Sequence, residues 1–572
     1  MLDVLIVGGG PHALTLATLL SCPNQPVTSS STDILQGIQL STSKSKTGRN
    51  KNKRKSHNKP ALEDHEDQKQ LLCDALHFQV VDSYGEWASL WESQFTALNI
   101  PHLRSHMLVH TDPLNKGALQ EFVTGQNRMA ELHSLPEHIY IQDENAFFND
   151  NRLGKKDKKL LSSSVGLQKN LYFSLPSTRL SIDFFREQVR KYDLDSVLVK
   201  GTVEKIIPVV SNKEVLFFRV ALQNGDVIEA KRVVMATGPT RAQMANIPDW
   251  VSVITESYPE ESLQHTVQLM HYLPLLQEQE VMEKPVGIST QRTVSDLALL
   301  LNPCVYAGPP LVCQAGQRVM VIGGGLTSAH IISTALQQGA SHVTWVLRKH
   351  LQLKQFDVGD VESLIGRYSH VEHGIKMDGL AYLRQFYNER SPRKRLAMIK
   401  QARKGGAVTP EAYAQLQPFI LSGQLHIRAY CQVTEAKWCY QNQRWQLSLS
   451  CGQQWAGERI WLATGCKLDV NQDPMLSDVI KEFPVQVIEG WPCISETLQW
   501  APGCPLYLMG QYAALQVGPH AVNLAGGQAA SWRIAKDIIS QHSSSNKITQ
   551  LGKAEKSRTE EYISQMHGLM WL

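Results

Sequence analysis

Apolar residues in this chain fall in short unbroken runs that are punctuated by glycine. Met1 to Val7 carries one polar position, Asp3, and so reads as a strand covered on both faces, because such a strand loses the in-out alternation of a half-exposed one. The run stops at Gly8-Gly9-Gly10 and resumes as the helical stretch Leu14 to Leu20. From Pro26 to about Gln70 the pattern disappears into Ser, Thr, Lys and Asn, a composition that cannot bury enough apolar surface to offset its ordering entropy. The interrupted pattern picks up at Leu76 to Asp82, an apolar strand ending in an acid. A lysine-rich stretch at Asn149 to Lys159 reads as an exposed loop.

Pro176 to Phe185 opens an amphipathic helix behind capping residues. Strands are expected at Ser196–Val209, Val215–Leu222 and Val227–Met235, with Asn224-Gly225-Asp226 as a hairpin turn. The series closes at Ala236-Thr237-Gly238. After an irregular stretch from Tyr272 to Val312, the same order begins again. Val319 to Ile322 meets Gly323-Gly324-Gly325 and then Leu326-Thr327-Ser328-Ala329, and a strand at Ser341–Leu347 follows. Phe386 to Ile420 reads as helical, with a capped helix start at Val408 to Tyr413. Strands are expected at Leu425–Ala429, Val433–Trp438, Arg444–Ser450 and Arg459–Ala463, the last running into Ala463-Thr464-Gly465. Glycine turn, helix, meander and Ala-Thr-Gly therefore occur twice. A last strand, Leu506–Leu508, leads through Gly510 and Gly518 to a helix expected to begin at Pro519 and run through Arg533.

This repetition predicts an α/β protein with two Rossmann-like dinucleotide-binding domains, each carrying an inserted antiparallel β-meander, the second domain inserted into the first. The expected segments are 1–270 and 456–545 for the first domain and 313–455 for the second, followed by a polar tail at 546–572. At 572 residues one hydrophobic core would be too small a share of the chain, which agrees with two domains. Charge adds little: 57 basic against 53 acidic residues leave +4, with no reason to expect nucleic acid as a partner. No apolar run reaches the length of a membrane span, and the apolar N-terminus is already used by the glycine turn, so a cytoplasmic protein is expected. The ten cysteines show no CxxC pair or metal spacing, Cys431 and Cys439 being nearest in sequence, and read as free thiols. No metal site is expected.

The glycine turns carry the candidate chemistry. Gly8 lets the first strand turn sharply, Gly10 lets backbone amides approach a pyrophosphate, and Ala13 keeps the helix close to the strand, with Pro11 between them. The first helical turn directs unpaired N–H groups and the positive end of its dipole to the phosphates. Asp82 is placed to accept from an adenosine ribose. Trp91, His102 and Arg104, shortly after that acid, suit an isoalloxazine ring and its phosphate arm, so the first cradle is assigned to FAD. In the second cradle, Gly323, Gly325, Thr327 and Ser328 form the turn. Arg348 and Lys349 stand where the first domain had an acid, and a guanidinium forks onto a 2′-phosphate, which favours NADPH. Small residues at Ala236, Thr237, Gly238 and at Thr464, Gly465 let the chain pass close to a dinucleotide. Gly510, Gly518 and Pro519 are assigned to the flavin's pyrimidine edge, with His102, Arg104 and His520 as candidate catalytic groups.

On these motifs the chain resembles the two-dinucleotide flavoproteins, and among them it is similar to the flavin-dependent N-hydroxylating monooxygenases of ornithine and lysine. Glu458 to Cys466 approximates that family's Asp-xxx-Leu-Ala-Thr-Gly-Tyr motif, with glutamate and cysteine at its two ends. The family's substrate-gripping Asn-Glu segment is absent, and Leu353-Lys354-Gln355-Phe356-Asp357-Val358 stands in that region. The resemblance thus implies FAD, NADPH, dioxygen and a small-molecule substrate without naming the last, and it leaves a homo-oligomer open. Three functions are distinguishable: a monooxygenase, an FAD-dependent reductase or dehydrogenase without oxygenation, and a non-catalytic flavin-binding sensor or interaction protein.

Overall fold

The computed structural model describes residues 1–23, 76–107, 109–134, 174–238, 243–271, 311–354, 369–372, 375–403 and 406–544. The polar insertion at 26–70, the loop at 149–159, nearly all of 272–312, Gln355 to Val358 and the tail at 546–572 lie outside them.

In chain order the first unit is β1 (Val4–Val7), α1 (Pro11–Ser21), β2 (Phe78–Asp82), α2 (Ser89–Ala97), α3 (Thr178–Lys191) and β3 (Leu198–Lys200). A meander of β4 (Val203–Ser211), β5 (Glu214–Leu222) and β6 (Val227–Ala230) precedes β7 (Val233–Met235). Then come β8 (Gln243–Ala245), β9 (Leu263–His265), β10 (Arg318–Ile322), α4 (Leu326–Gln337) and β11 (His342–Val346). Three helices follow, α5 (Gly379–Asn388), α6 (Pro392–Ala402) and α7 (Pro410–Leu421), then β12 (Leu425–Arg428). A second meander comprises β13 (Val433–Cys439), β14 (Arg444–Leu449) and β15 (Gln454–Gly457). The chain ends with β16 (Arg459–Leu462), β17 (Cys466–Leu468), β18 (Gln499–Ala501), β19 (Cys504–Leu508) and a helix, α8, that runs from 524 through 544.

The first sheet has the order β18-β19-β7-β1-β2-β3, parallel except at β18. All four residues of β1 are buried, as a central parallel strand requires. Helix α1 is buried from Ala13 to Leu20, and its two threonines stay satisfied inside: Thr18 Oγ1 donates to the Leu14 carbonyl and accepts from Gln188 Nε2 of α3 at 2.8 Å. The expected strand Val227–Met235 is in fact two strands in different sheets. It breaks at Lys231-Arg232, where the Lys231 N–H donates to the Leu2 carbonyl and its ammonium pairs with Asp3 at 2.8 Å, which turns the chain from the meander into the parallel sheet. Ser196–Val209 divides likewise into β3 and β4.

The second sheet, β9-β16-β10-β11-β12, is wholly parallel. Its strands β9 and β16 come from outside the expected 313–455 segment, so the sheet draws on chain from both sides of that span. Alternation along β10 explains the layering. Val319 and Val321 pack on the α4 and α7 side with Trp345 and Trp461, whereas Met320 and Ile322 pack against Trp438, Trp445 and Trp455 of the meander. Glu458, the altered end of the Asp-like motif, accepts the N–H of Arg318 at 2.7 Å and so fixes where β10 begins beside β16. The two domains are joined by a two-stranded antiparallel link, β8 with β17. Cys466 stands in this link, and burial pushes its thiol up to about 11.

Candidate functional site

At the end of β1 the chain turns through Gly8, whose φ of +102° is left-handed backbone, and its N–H donates to the Val81 carbonyl at 2.8 Å. A side chain at Gly8 would strike the carbonyl of Ala236 at 2.7 Å. Strand β7 therefore delivers its Ala236-Thr237-Gly238 end directly against the turn. Gly10 caps α1 without any side-chain hydrogen bond, and a Cβ built on it would meet nothing within 4 Å. That open face in front of uncapped helix amides is the shape a pyrophosphate fills. Asp82, at the end of β2, accepts from Gly9 N–H at 2.7 Å and from Tyr84 N–H at 2.9 Å, one bond on each oxygen. Each carboxylate oxygen keeps a lone pair for a ribose hydroxyl. Gly510, with φ of +63°, follows β19 beside β7, where Met509 N–H donates to the Met235 carbonyl, so it shares the same sheet edge.

The second turn repeats the device. Gly323 has φ of +136°, and a side chain there would collide with the carbonyl of Ala463. Gly325 caps α4 with no side-chain bond and faces open space. Ser328 is fully buried with an Oγ that has no hydrogen-bond partner, an orphaned polar atom within the turn. The segment at Gly406 lies directly on the Gly324–Gly325 peptide, leaving only the outward side of Gly325 open. Arg348 and Lys349 follow β11 and are exposed. Thr464 and Gly465 are tied to the domain link: Thr464 Oγ1 donates to the Asn246 carbonyl, and Asn246 N–H donates to the Gly465 carbonyl at 2.9 Å. His265 lies 3.2 Å from Thr464 Oγ1, and burial pulls its imidazole down to about 4.

Between the domains lies a cleft of about 230 Å³. The first domain contributes His102 and Arg104, and the second contributes Thr327 and His330 from α4 and Glu411 from α7. The 100–104 segment is held in place from both ends. Thr178 Oγ1 donates to the Ile100 carbonyl at 2.5 Å and Leu103 N–H donates to the Pro176 carbonyl at 3.0 Å, so the start of α3 clamps it. His102 stands 4.9 Å from His133, ring to ring, and burial followed by that neighbour's charge lowers its pKa. Burial draws His330 down to about 4. Glu411 follows the Thr409 cap of α7, whose hydroxyl accepts from Ala412 N–H. Burial raises the Glu411 pKa, although its own N–H, the Thr409 hydroxyl, His133 and Arg104 all act the other way. Its buried Oε1 has no hydrogen-bond partner.

Thus the cleft brings together His102, Arg104 and Thr327, the glycine-turn candidates gather at their two sheet edges, and Trp91, Gly518, Pro519 and His520 stand elsewhere. Trp91 packs inside the first domain, stacked on Phe95 at 3.8 Å and edge-on to Phe185 at 5.3 Å. Helical spacing on α2 turns it to α3, and Phe95, one turn on, is the ring that reaches the cleft. Helix α8 starts at 524 rather than at Pro519, because residues 519–523 form successive turns in which the Asn523 N–H donates to the His520 carbonyl at 2.9 Å. Gly518 faces Phe386 of α5, and the Pro519 carbonyl accepts from Arg403 Nε at 2.9 Å, so that turn is packed on α5 and the end of α6. His520 is buried there and does not line the cleft. Glu411, His330 and His133 carried no signal in the sequence beyond the helix cap ahead of Glu411. Among the described residues no cluster of side chains could hold a metal ion, and no helix is long and apolar enough to cross a membrane.

No family model matches the sequence, and no curated protein matches it. Solved structures do. L-lysine 6-monooxygenase from Pseudomonas syringae superposes with a TM-score of 0.53 at 14% identity, over 94% of this chain and 99% of that one. The likeness is one of fold. Ornithine hydroxylase from Pseudomonas aeruginosa gives the same TM-score at 13% identity, over 95% of this chain and 99% of that one, in its reduced form and in a second structure. At these identities the agreement bears out the two-domain α/β architecture expected from the repeated glycine turns, and the assignment of chemistry has to come from the site.

Proposed function

We propose that this chain is an FAD- and NADPH-dependent oxidoreductase, a flavoprotein monooxygenase acting on a small-molecule substrate with dioxygen. The observation that supports this most is the duplicated cradle: at two sheet edges the first glycine abuts an Ala-Thr-Gly carbonyl, and the third leaves an open face before an uncapped helix. In the first cradle Gly8, Gly10 and the start of α1 would hold the pyrophosphate of FAD, and Asp82 its ribose. In the second, Gly325 and the start of α4 would hold NADPH, with Arg348 on the 2′-phosphate. Bound there, the two cofactors supply hydride transfer and the reductive activation of oxygen.

The protein's own share is positioning. His102 is neutral at physiological pH because its pKa is lowered, and it offers one ring nitrogen as donor and one as acceptor to whatever enters the cleft. Arg104 supplies fixed positive charge on the same wall, and Glu411 Oε1 is placed to hold a proton on the opposite one. Phe95, Leu98 and Leu326 make the intervening walls apolar. The eight described cysteines are all free, which suits a cytoplasmic setting.

The test is spectroscopic. Purified protein should carry or take up FAD with a flavin absorbance band, and NADPH should bleach that band at far lower concentration than NADH. Oxygen uptake without substrate turnover would point to the reductase function instead, and a flavin that NADPH never bleaches would point to a sensor. A protein that refuses FAD at large excess would refute the whole proposal.

A further inference from the structure

Cysteines scattered in the sequence are brought together at the open end of the second meander. Strand β13 pairs with β14 so that Val433 faces Leu449. Two residues beyond that last pair stand Cys431, just ahead of β13, and Cys451, in the turn that follows β14. Between them Ser450 N–H donates to the Gln432 carbonyl at 2.8 Å, and Gln432 N–H donates to Ser450 Oγ at 3.0 Å. These two bonds carry the approach of the chains one residue past the ladder and leave Cys431 and Cys451 side by side just beyond it. The sulfurs are already in contact, the Cys431 thiol donating to Cys451 Sγ at 3.4 Å.

The two sulfurs differ in environment. Cys431 is 1% exposed, and burial, then its bond to Cys451, raises its pKa. Cys451 is exposed on the turn that leads to Gly452, and the N–H of Gln453, then the Cys431 thiol, lowers its pKa, with Arg428 adding to the effect. An accessible thiol of lowered pKa beside a shielded second thiol is the arrangement in which one sulfur attacks and the other resolves.

We propose that Cys431 and Cys451 form a reversible dithiol–disulfide site for a hydroperoxide, with Cys451 attacking and Cys431 resolving. In the first step the Cys451 thiolate takes the distal peroxide oxygen, the O–O bond breaks, and the leaving oxygen departs protonated, so that Cys451 becomes a sulfenic acid. In the second, the Cys431 sulfur attacks that sulfenic sulfur and the S–O bond breaks. The Cys431 proton leaves with the hydroxyl as water. With hydrogen peroxide, two thiols lose two electrons in all and the oxidant ends as two waters. An external dithiol resets the site by thiol–disulfide exchange, its own two thiols ending as a disulfide while Cys431 and Cys451 return to thiols. The site is separate from the cleft and does not rest on the cofactor assignment. It adjoins the nucleotide edge, since Cys431 N–H donates to the Leu347 carbonyl, one residue before Arg348.

The test uses the full chain, treated with hydrogen peroxide, then denatured, alkylated and mapped by peptide mass spectrometry. The expected result is a linkage between the peptides carrying Cys431 and Cys451, with those two of the ten cysteines lost to alkylation and both recovered after dithiothreitol. In Cys431→Ser, dimedone should label Cys451. In Cys451→Ser, Cys431 should stay alkylatable at the same dose. The wild-type arm needs no variant to fold. The proposal is overturned if both thiols remain alkylatable at a dose that oxidises the partly exposed Cys439, or if dimedone finds Cys431 and not Cys451.

Discussion

Gly8 and Gly323 do the same work in two places: each turns a buried strand through positive φ and brings it against the carbonyl of an alanine. Side chains near these turns then decide what the cradles accept. Arg348 is the one with a selective consequence. Replacing Arg348 with Ala should raise the KM for NADPH at least tenfold while leaving that for NADH nearly unchanged, since a forked contact to a phosphate has no counterpart in NADH. Equal effects in steady-state assays with both coenzymes would refute that role. Glu411 makes a different kind of prediction. Its pKa is raised in the folded protein, so the folded state binds more protons than the unfolded one above the ordinary glutamate value near 4.5, and stability drains away as pH rises through that window. Glu411→Gln should therefore gain melting temperature relative to wild type at pH 8, and the gain should vanish at pH 4. A loss at pH 8 would mean that Arg104 and His133 outweigh the burial.

Elements in this molecule are placed by caps and by alternation. Ser177 caps α3 by accepting from Leu180 N–H at 3.0 Å, and the same turn holds the segment that bears His102 and Arg104. Ser177→Ala should lower stability by about 1 kcal/mol. It should also weaken whatever binds in the cleft, because the Thr178 clamp on Ile100 loosens with the helix start. Chemical denaturation and a ligand titration read the two effects separately, and a stability loss with unchanged cleft binding would show that the 100–104 segment is held by other contacts. The glycine turns, α3 and the hairpin at Gly225 were legible from local pattern, because each is set by a few neighbouring residues. The division of Val227–Met235 was not, since Glu229, Lys231 and Arg232 read as the polar positions of one half-exposed strand and only the two different sheets tell its halves apart. Strand β15 escaped for the converse reason: Gln454 to Gly457 is too short and mixed to announce itself, and its pairing with β14 makes it a strand.

Acid should test the molecule as a whole. His265 and His330 are both buried in the second domain with pKa values near 4 against an unfolded value of 6.5. Between those values the unfolded chain binds more protons, so stability falls as pH drops through 6.5 and the loss is complete once pH passes below about 4. At about 1.4 kcal/mol per unit, each imidazole accounts for roughly 3 kcal/mol at most. The melting temperature should fall between pH 7 and pH 4.5, and His330→Leu should fall by visibly less over the same range. An identical fall would mean that some other group carries the acid sensitivity. The cleft is a property of this scale as well, because one wall comes from residues near 100 and the other from residues near 326 and 410.

Sequence alone determined the repeated strand, turn and helix units and the identity of the glycines, because those depend on backbone sterics and on burial periodicity within a dozen residues. It also showed a cation, Arg348, just past the second strand of the second domain, although the register sets Leu347 at the position of Asp82 and Arg348 one residue further on. Only the tertiary structure decided which polar groups share a cleft, drawing in Glu411 and His330, setting His133 beside His102 and leaving Trp91 and His520 aside, since burial and distance between far-apart segments have no local signature. The facing of Cys431 and Cys451 across twenty residues is of the same kind: a strand register brings the two sulfurs into contact, and no spacing rule in one dimension encodes it.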